Sequence, residues 1–268
     1  MYTCGIDIGS RSTKAIILDE NGLVQGRGLR LTGGQPADAA DSAMDEALLA
    51  ARIGRVDVSL IATTGYGRRL ARRHDLQFTA VTCHARGAHH AFPGTRNVLD
   101  VGALRSTAIR LDENGCVHRF RLNDRCGAGV GRFLETVADT LEIPLEEIGQ
   151  LALFSKSPLP VPSICSVLAE TEVLNLITHE KKPADILRGV CEALAERLVS
   201  LLKQVWIPGA RTTLSGGVAK NAGMVAALEQ ALKIPVCIDH DAEFMGAIGA
   251  ALIAQDSLKA GHPSGIST

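Results

Sequence analysis

Hydrophobic and polar positions alternate through GIDIGSRSTKAIILDENG, residues 5 to 22. An apolar strand runs into Asp-x-Gly and a second strand alternates after it. Asn21-Gly22 then predicts the turn into a third strand. The pattern returns in VLDVGALRSTAIRLDENG, residues 98 to 115. With a shift of 93, residues 5–24 lie over 98–117 without a gap, and ten of the twenty positions are identical. The identities include Asp7/Asp100, Gly9/Gly102 and Asp19-Glu20-Asn21-Gly22 over Asp112-Glu113-Asn114-Gly115. One hairpin present twice predicts a duplicated α/β unit with a cleft between its halves.

Elsewhere the period becomes helical. Phe133, Leu134, Val137, Ala138 and Leu141 recur at helical spacing after a Gly-rich turn, and Val167, Leu168, Val173, Leu174 and Ile177 do so further on. Thr212 to Asn221 reads as a short strand, a Gly216-Gly217 turn and a helix start. Residues Gly246 to Ala251 read as a helix with a small-residue face, suited to lie close under the first hairpin. Arg68, Arg69, Arg72 and Arg73 read as a solvated helix face.

Composition narrows the class. Of the 268 residues, 46% are hydrophobic, only 3% are aromatic and 27 are Gly. That favours Ala/Val/Leu/Ile packing with tight turns, as in α/β proteins. A net charge of -1 gives no nucleic-acid footprint. No apolar run reaches the ~18 residues of a transmembrane helix. Met1-Tyr2-Thr3-Cys4 runs straight into a strand pattern, so no signal peptide is expected. Seven Cys without an export signal then point to the reducing cytoplasm.

The first hairpin carries phosphate-binding chemistry. Gly9 lets the backbone turn close to an anion, while Ser10, Arg11, Ser12 and Thr13 line the loop with hydroxyls and amides. Lys14 can neutralise phosphate charge, and Asp7 can hold Mg²⁺ directly or through water. An ordinary Gly/Ser hairpin is the competing reading. The second Asp-x-Gly, Asp100 to Gly102, favours the first reading, because two facing loops each with a carboxylate suit a Mg-nucleotide. Gly216, Gly217, Lys220 and Asn221 form a third loop, where glycines allow close approach to a nucleoside.

This order of three loops resembles the actin-like ATPase superfamily, which also holds sugar kinases and Hsp70 chaperones. The resemblance implies an α/β, ribonuclease H-like fold with two duplicated domains around a nucleotide cleft. The expected domains are 1–94, closed by a C-terminal helix over 244–268, and 95–243. A sugar kinase needs a sugar-binding insert, for which the chain has little room.

Cysteines add a second chemistry. Cys126 and Cys165 each stand immediately before a helical pattern, and helix N-termini favour thiolates. Cys4, Cys116 and Cys237 sit in strand patterns, Cys191 sits in an amphipathic helix, and Cys83 has no clear pattern. A small buried hydrophobe is the commoner role for any single Cys. If Cys126 and Cys165 are ligands, two per chain suggest a [4Fe–4S] cluster shared across a dimer, since such a cluster normally takes four thiolates.

The combination resembles the BadF/BadG/BcrA/BcrD ATPase family over nearly the whole chain. The carrying motifs are Gly5-Ile6-Asp7-Ile8-Gly9-Ser10, Thr64-Gly65-Tyr66-Gly67-Arg68, Asn123 to Glu135, Cys165 to Glu172 and Gly216-Gly217-Val218. The resemblance implies ATP and Mg²⁺ at the loops, with Asp7 and Asp100 as catalytic carboxylates. It also implies a [4Fe–4S] cluster held by Cys126 and Cys165 between two subunits. ATP hydrolysis would then drive an electron from ferredoxin to a catalytic partner. Many activators of this family carry a Gly-Gly-Gln-Asp type sequence in phosphate loop 2, where this chain has Gly102-Ala103-Leu104-Arg105. Asp-Val-Gly-Ala-Leu is similar instead to the D-type subunit of ATP-dependent benzoyl-CoA reductase, which pairs with a homologous A-type ATPase subunit and serves catalytic reductase subunits. The expected function is therefore the ATP-binding electron-transfer subunit of such a reductase, in a heterodimer with unequal nucleotide sites. A homodimeric activator of a 2-hydroxyacyl-CoA dehydratase, a small-molecule kinase and a non-enzymatic actin-like scaffold are the alternatives.

Overall fold

A computed structural model of the chain describes residues 1–123, 129–162 and 166–261. The described residues separate into two compact units. Unit 1 comprises residues 1–95, 111–118 and 243–261, and unit 2 comprises 96–110 and the described part of 119–242.

Unit 1 is built on a five-stranded sheet. Its strands are β1 (Tyr2–Ile8), β2 (Ser12–Leu18), β3 (Val24–Leu31), β4 (Val58–Thr64) and β5 (Leu76–Gln77), in the order β3-β2-β1-β4-β5. β1, β2 and β3 form an antiparallel meander, and β4 lies parallel to β1. The repeated Asp-Glu-Asn-Gly segment makes the same turn twice. The Asp19 carboxylate accepts the amides of Asn21 and Leu23 at 2.9 and 3.0 Å. Asp112 accepts those of Asn114 and Cys116 at 2.9 and 2.8 Å. Gly22 and Gly115 both have φ of 78°, the left-handed conformation such a turn requires. Helices α1 (Pro36–Ala51) and α2 (Ala80–Ala91) complete this part of the unit. Pro36 starts α1, and the Thr79 hydroxyl caps α2 by accepting the Thr82 amide.

Unit 2 carries β6 (Asn97–Val101), β7 (Ser106–Leu111), β8 (Val117–Asn123) and β9 (Thr212–Ser215), in the order β8-β7-β6-β9. Its helices are α3 (Val130–Thr140), α4 (Leu145–Leu153), α5 (Ser166–Thr178), α6 (Pro183–Lys203) and α7 (Ala222–Leu232). The helices and sheet share one core, in which α6 buries Ile186, Leu187, Val190, Leu194, Leu198, Leu201 and Leu202. Those positions recur every three or four residues, and each such buried side chain contributes about 1.5–3 kcal/mol. In α3 the buried stripe is Val130, Phe133, Leu134, Val137 and Ala138, as its pattern predicts. The α5 stripe differs from expectation. Ala169, Val173 and Leu176 are buried, whereas Leu168 and Leu174 are exposed.

The last helix, α8 (Met245–Lys259), belongs to unit 1 and is buried almost all round, because its small residues admit close packing. A Cβ on Gly5 of β1 would come within 3.0 Å of the Ala247 carbonyl and the Ala251 amide. Gly26 and Gly28 of β3 meet the backbone of α1 in the same way, at Ala47 and Ala43. Among the described residues no helix is long and apolar enough to cross a membrane.

Three local expectations are corrected. Cys116 lies in the exposed turn ahead of β8 and Cys237 in an isolated bridge to Thr213, so neither is in a named strand. Arg68 and Arg69 occupy a single 3₁₀ turn, not a helix face, and Arg72 pairs instead with Asp38 and Asp41 of α1.

Candidate functional site

In unit 1 the connector from β1 to β2 is closed at its base. The Gly9 amide donates to the Ser12 carbonyl at 3.2 Å, and a Cβ on Gly9 would sit 2.7 Å from that oxygen. Ser10 and Arg11 are exposed at the tip, and Ser12 is half-buried. Thr13 turns inward. Thr32 donates its hydroxyl proton to the Gly9 carbonyl at 2.8 Å, so Thr13 must donate to Thr32 at 2.9 Å. Lys14 stands opposite Asp7 in the β1–β2 ladder, and its Nζ reaches the Ser12 carbonyl at 3.4 Å. Asp7 is 7% exposed, and no hydrogen bond is made to its carboxylate among the described residues. A buried carboxylate in that condition suits a hard cation such as Mg²⁺.

Unit 2 repeats the device. Between β6 and β7 the Gly102 amide donates to the Arg105 carbonyl at 2.9 Å, closing the turn between the residues equivalent to Gly9 and Ser12. Asp100 stands opposite Thr107, where the first copy has Lys14 opposite Asp7. The second copy therefore lacks the lysine. Its tip residues Leu104 and Arg105 are exposed. This connector also rests on α3. The amides of Gly131 and Arg132 donate to the carbonyls of Gly102 and Ala103 at 3.2 and 3.0 Å. Gly131 permits that approach, since a Cβ there would lie 2.9 Å from the Ala103 α-carbon.

Each Asp also lies beside a left-handed glycine. After β4, Gly65 has φ of 88°, and a Cβ on it would come within 3.0 Å of Asp7 Oδ1. After β9, Gly216 has φ of 90°, and a Cβ there would lie 2.7 Å from Asp100 Oδ1. The Thr64–Arg68 loop of unit 1 is thus the counterpart of the Ser215–Val218 loop of unit 2. The pairing was legible in principle, because a Thr or Ser followed by Gly ends both strands. In the third loop the helix begins later than expected. Gly217 to Lys220 form a 3₁₀ turn, and α7 starts after Asn221, whose side chain accepts the Met224 amide at 2.9 Å. Asn is a strong N-cap, and it sets the boundary. Gly217 and Lys220 are exposed.

Cys126 and Cys165 lie outside the described residues. The helices that follow them in sequence, α3 and α5, pack against each other in unit 2. The buried thiols are poor ligands. Burial pushes Cys4, Cys83 and Cys191 up to about 12, and the attraction of Arg55, Arg68 or Arg188 only partly opposes it. Asp239, His240 and Asp241 form the one metal-competent group among the described residues, and it contains no Cys.

Two α/β units with duplicated Asp-x-Gly hairpins define the actin-like ATPase fold. Within it, the BadF/BadG/BcrA/BcrD ATPase family matches residues 4–254, and the chain belongs to that family. The D-type subunit of benzoyl-CoA reductase from Thauera aromatica is 38% identical over 259 residues, covering 93% of this chain and 92% of that protein. The 2-hydroxyisocaproyl-CoA dehydratase activator of Clostridioides difficile is 33% identical over 259 residues, covering 97% of each. The solved structure of an activator of that dehydratase from Clostridium difficile, with bound ADPNP, matches with a TM-score of 0.93 at 31% identity, covering 100% of both chains.

Proposed function

We propose that the chain is the ATP-binding, cluster-carrying electron-transfer subunit of a benzoyl-CoA reductase-type enzyme. The observation that carries this reading is the pair of hydrogen bonds from Gly131 and Arg132 to phosphate loop 2. They tie that loop to α3, the helix that follows Cys126. Asp7 would hold Mg²⁺, with Lys14 and the Gly9–Thr13 backbone on the phosphates. Gly216, Gly217, Lys220 and Asn221 would receive the nucleoside. A [4Fe–4S] cluster held by Cys126 and Cys165 and their counterparts in a second subunit would supply one-electron chemistry at low potential. Loop 2 senses the nucleotide and α3 passes the change towards Cys126. A ferredoxin is the donor and the catalytic subunits receive the electron. The acyl-CoA substrate binds those subunits, not this chain.

The second copy favours a heterodimer. Ala103-Leu104-Arg105 stand where many activators of the family carry Gln and Asp, so the loop lacks the carboxylate and amide that could orient an attacking water or Mg²⁺, and Thr107 stands where the first copy has its lysine. A full-length match to dehydratase activators supports the second reading, a homodimeric activator of a 2-hydroxyacyl-CoA dehydratase.

The test is iron and acid-labile sulfide in anaerobically purified protein, co-expressed with its neighbours, for wild type and Cys126→Ser. About four irons per dimer, lost in the variant, are expected. Iron-free protein would turn attention to phosphoryl transfer. Slow ATP hydrolysis by the isolated chain supports the heterodimer, and brisk hydrolysis supports the homodimeric activator.

A further inference from the structure

The environment of Asp7 holds an imidazole that the proposed nucleotide chemistry does not use. His84, on α2, is 5% exposed, deeper than is usual for an imidazole. Its Nε2 and Asp7 Oδ2 face the same point. A Cβ on Gly246, in the first turn of α8, would lie 2.8 Å from Nε2 and 2.9 Å from Oδ2. The two atoms are therefore within about 6 Å of each other, a gap closed by a small side-chain adjustment or by one water. Oδ1, on the other side of the carboxylate, lies beside Gly65. Glycines at 65 and 246 thus leave both faces of Asp7 open to close neighbours, and the His84 imidazole is a polar group on the Oδ2 side.

We infer that His84 is a positioning residue for Asp7, acting through Nε2 on Oδ2 to set the direction in which the carboxylate presents its other oxygen to Mg²⁺. This rests on Asp7 serving the Mg-nucleotide. Metal-binding carboxylates are themselves oriented by hydrogen bonds, and loss of such a partner typically weakens metal binding about 10–100-fold. Gly246 belongs to the same device, because any side chain there would wedge His84 and Asp7 apart. The backbone of α8 adds a favourable electrostatic setting, since its N-terminal turn faces the same carboxylate.

The test uses the full-length chain and Mn²⁺ with a non-hydrolysable ATP analogue, read as loss of the free Mn²⁺ EPR signal. Nucleotide affinity in EDTA and thermal midpoint are measured alongside. His84→Phe keeps the ring and removes the nitrogen, whereas His84→Gln keeps an N–H at the ε position. Mn²⁺ affinity is expected to fall about tenfold or more in His84→Phe and to return to within about threefold of wild type in His84→Gln. Metal-free nucleotide affinity stays unchanged in both. Gly246→Ala should reproduce the loss, and it serves in place of His84→Phe if that variant does not fold. Asp7→Asn separates the two assignments. If it leaves Mn²⁺ affinity unchanged, the assignment of Asp7 fails. If it abolishes Mn²⁺ binding while His84→Phe or Gly246→Ala binds as wild type, the role of His84 is overturned. A folded His84→Gln that is as weak as His84→Phe also overturns it.

Discussion

The amide of Arg132, in the first turn of α3, donates to the carbonyl of Ala103 at the tip of the second Asp-x-Gly connector, 3.0 Å away. One loop is thereby fastened to one helix through backbone atoms, at a distance that the missing side chain of Gly131 permits. A movement of Ala103 that keeps this bond must move the start of α3.

Gly131→Ala tests that fastening. The new methyl would press on the Ala103 α-carbon at 2.9 Å and on the Gly102 carbonyl at 3.1 Å. Nucleotide binding should survive, because loop 1 is untouched. The nucleotide-dependent change in the cluster EPR spectrum should shrink or vanish. An unchanged spectral response would show that the loop and helix are not coupled.

Gly65→Ala and Gly216→Ala should both be costly. Each glycine has a positive φ, and each would bring a methyl against its aspartate. Strain of about 1–3 kcal/mol is expected per site. Gly65→Ala should also weaken MgATP binding through Asp7, to an extent that equilibrium dialysis can read. Urea unfolding gives the stability part separately.

Lys14→Met should lower ATP affinity by about tenfold through loss of one phosphate contact, roughly 1.4 kcal/mol. Thr107→Met, at the equivalent place in the second copy, should leave it within about twofold. Isothermal titration with ADP and ATP distinguishes the two. Equal losses would mean that the two loops contribute alike.

High pH should destabilise the protein through its buried thiols. Cys4, Cys83 and Cys191 stay protonated in the fold up to about 12, whereas an unfolded thiol ionises near 9.0. The folded state holds these protons more tightly, so their contribution is intact below about pH 9 and is lost as pH climbs towards 12. Urea midpoints measured across that window should fall, and less steeply in Cys191→Ala than in wild type once both are referenced to neutral pH. Among the described cysteines, the exposed Cys116 should be the first to react with a thiol reagent in native protein.

What the sequence made legible was mostly local. Asp19-Glu20-Asn21-Gly22 and its copy name their turn because an Asx hydrogen bond and a left-handed glycine are encoded within four residues. The α3 stripe was equally readable, since Phe133, Leu134 and Val137 are large and regularly spaced. The α5 stripe was not. Its buried side is set by small Ala169 and by Val173 and Leu176, while Leu168 and Leu174 face outward, and composition alone cannot rank two apolar sides. The Arg72 pairs with Asp38 and Asp41, the closeness of His84 to Asp7 and the seating of Ala103 on α3 all join residues far apart in the chain, so no spacing rule could announce them. Lys14 against Thr107 was visible in the repeat itself, but its meaning required the ladder to show which residue each one faces.

The glycines of unit 1 have a mechanical consequence. At Gly5, Gly26 and Gly28 the sheet touches α8 and α1 backbone to backbone, between flanking side chains such as Ile6, Met44, Leu48 and Ile248. Ordinary cores absorb load by changing rotamers, but Gly and Ala have none to change. This part of the molecule should respond as a stiff plate, with low compressibility and little internal give. Displacement applied at the rim of β1 would then be passed to α8 and α1 most directly at these three glycines, where no rotamer stands between the backbones.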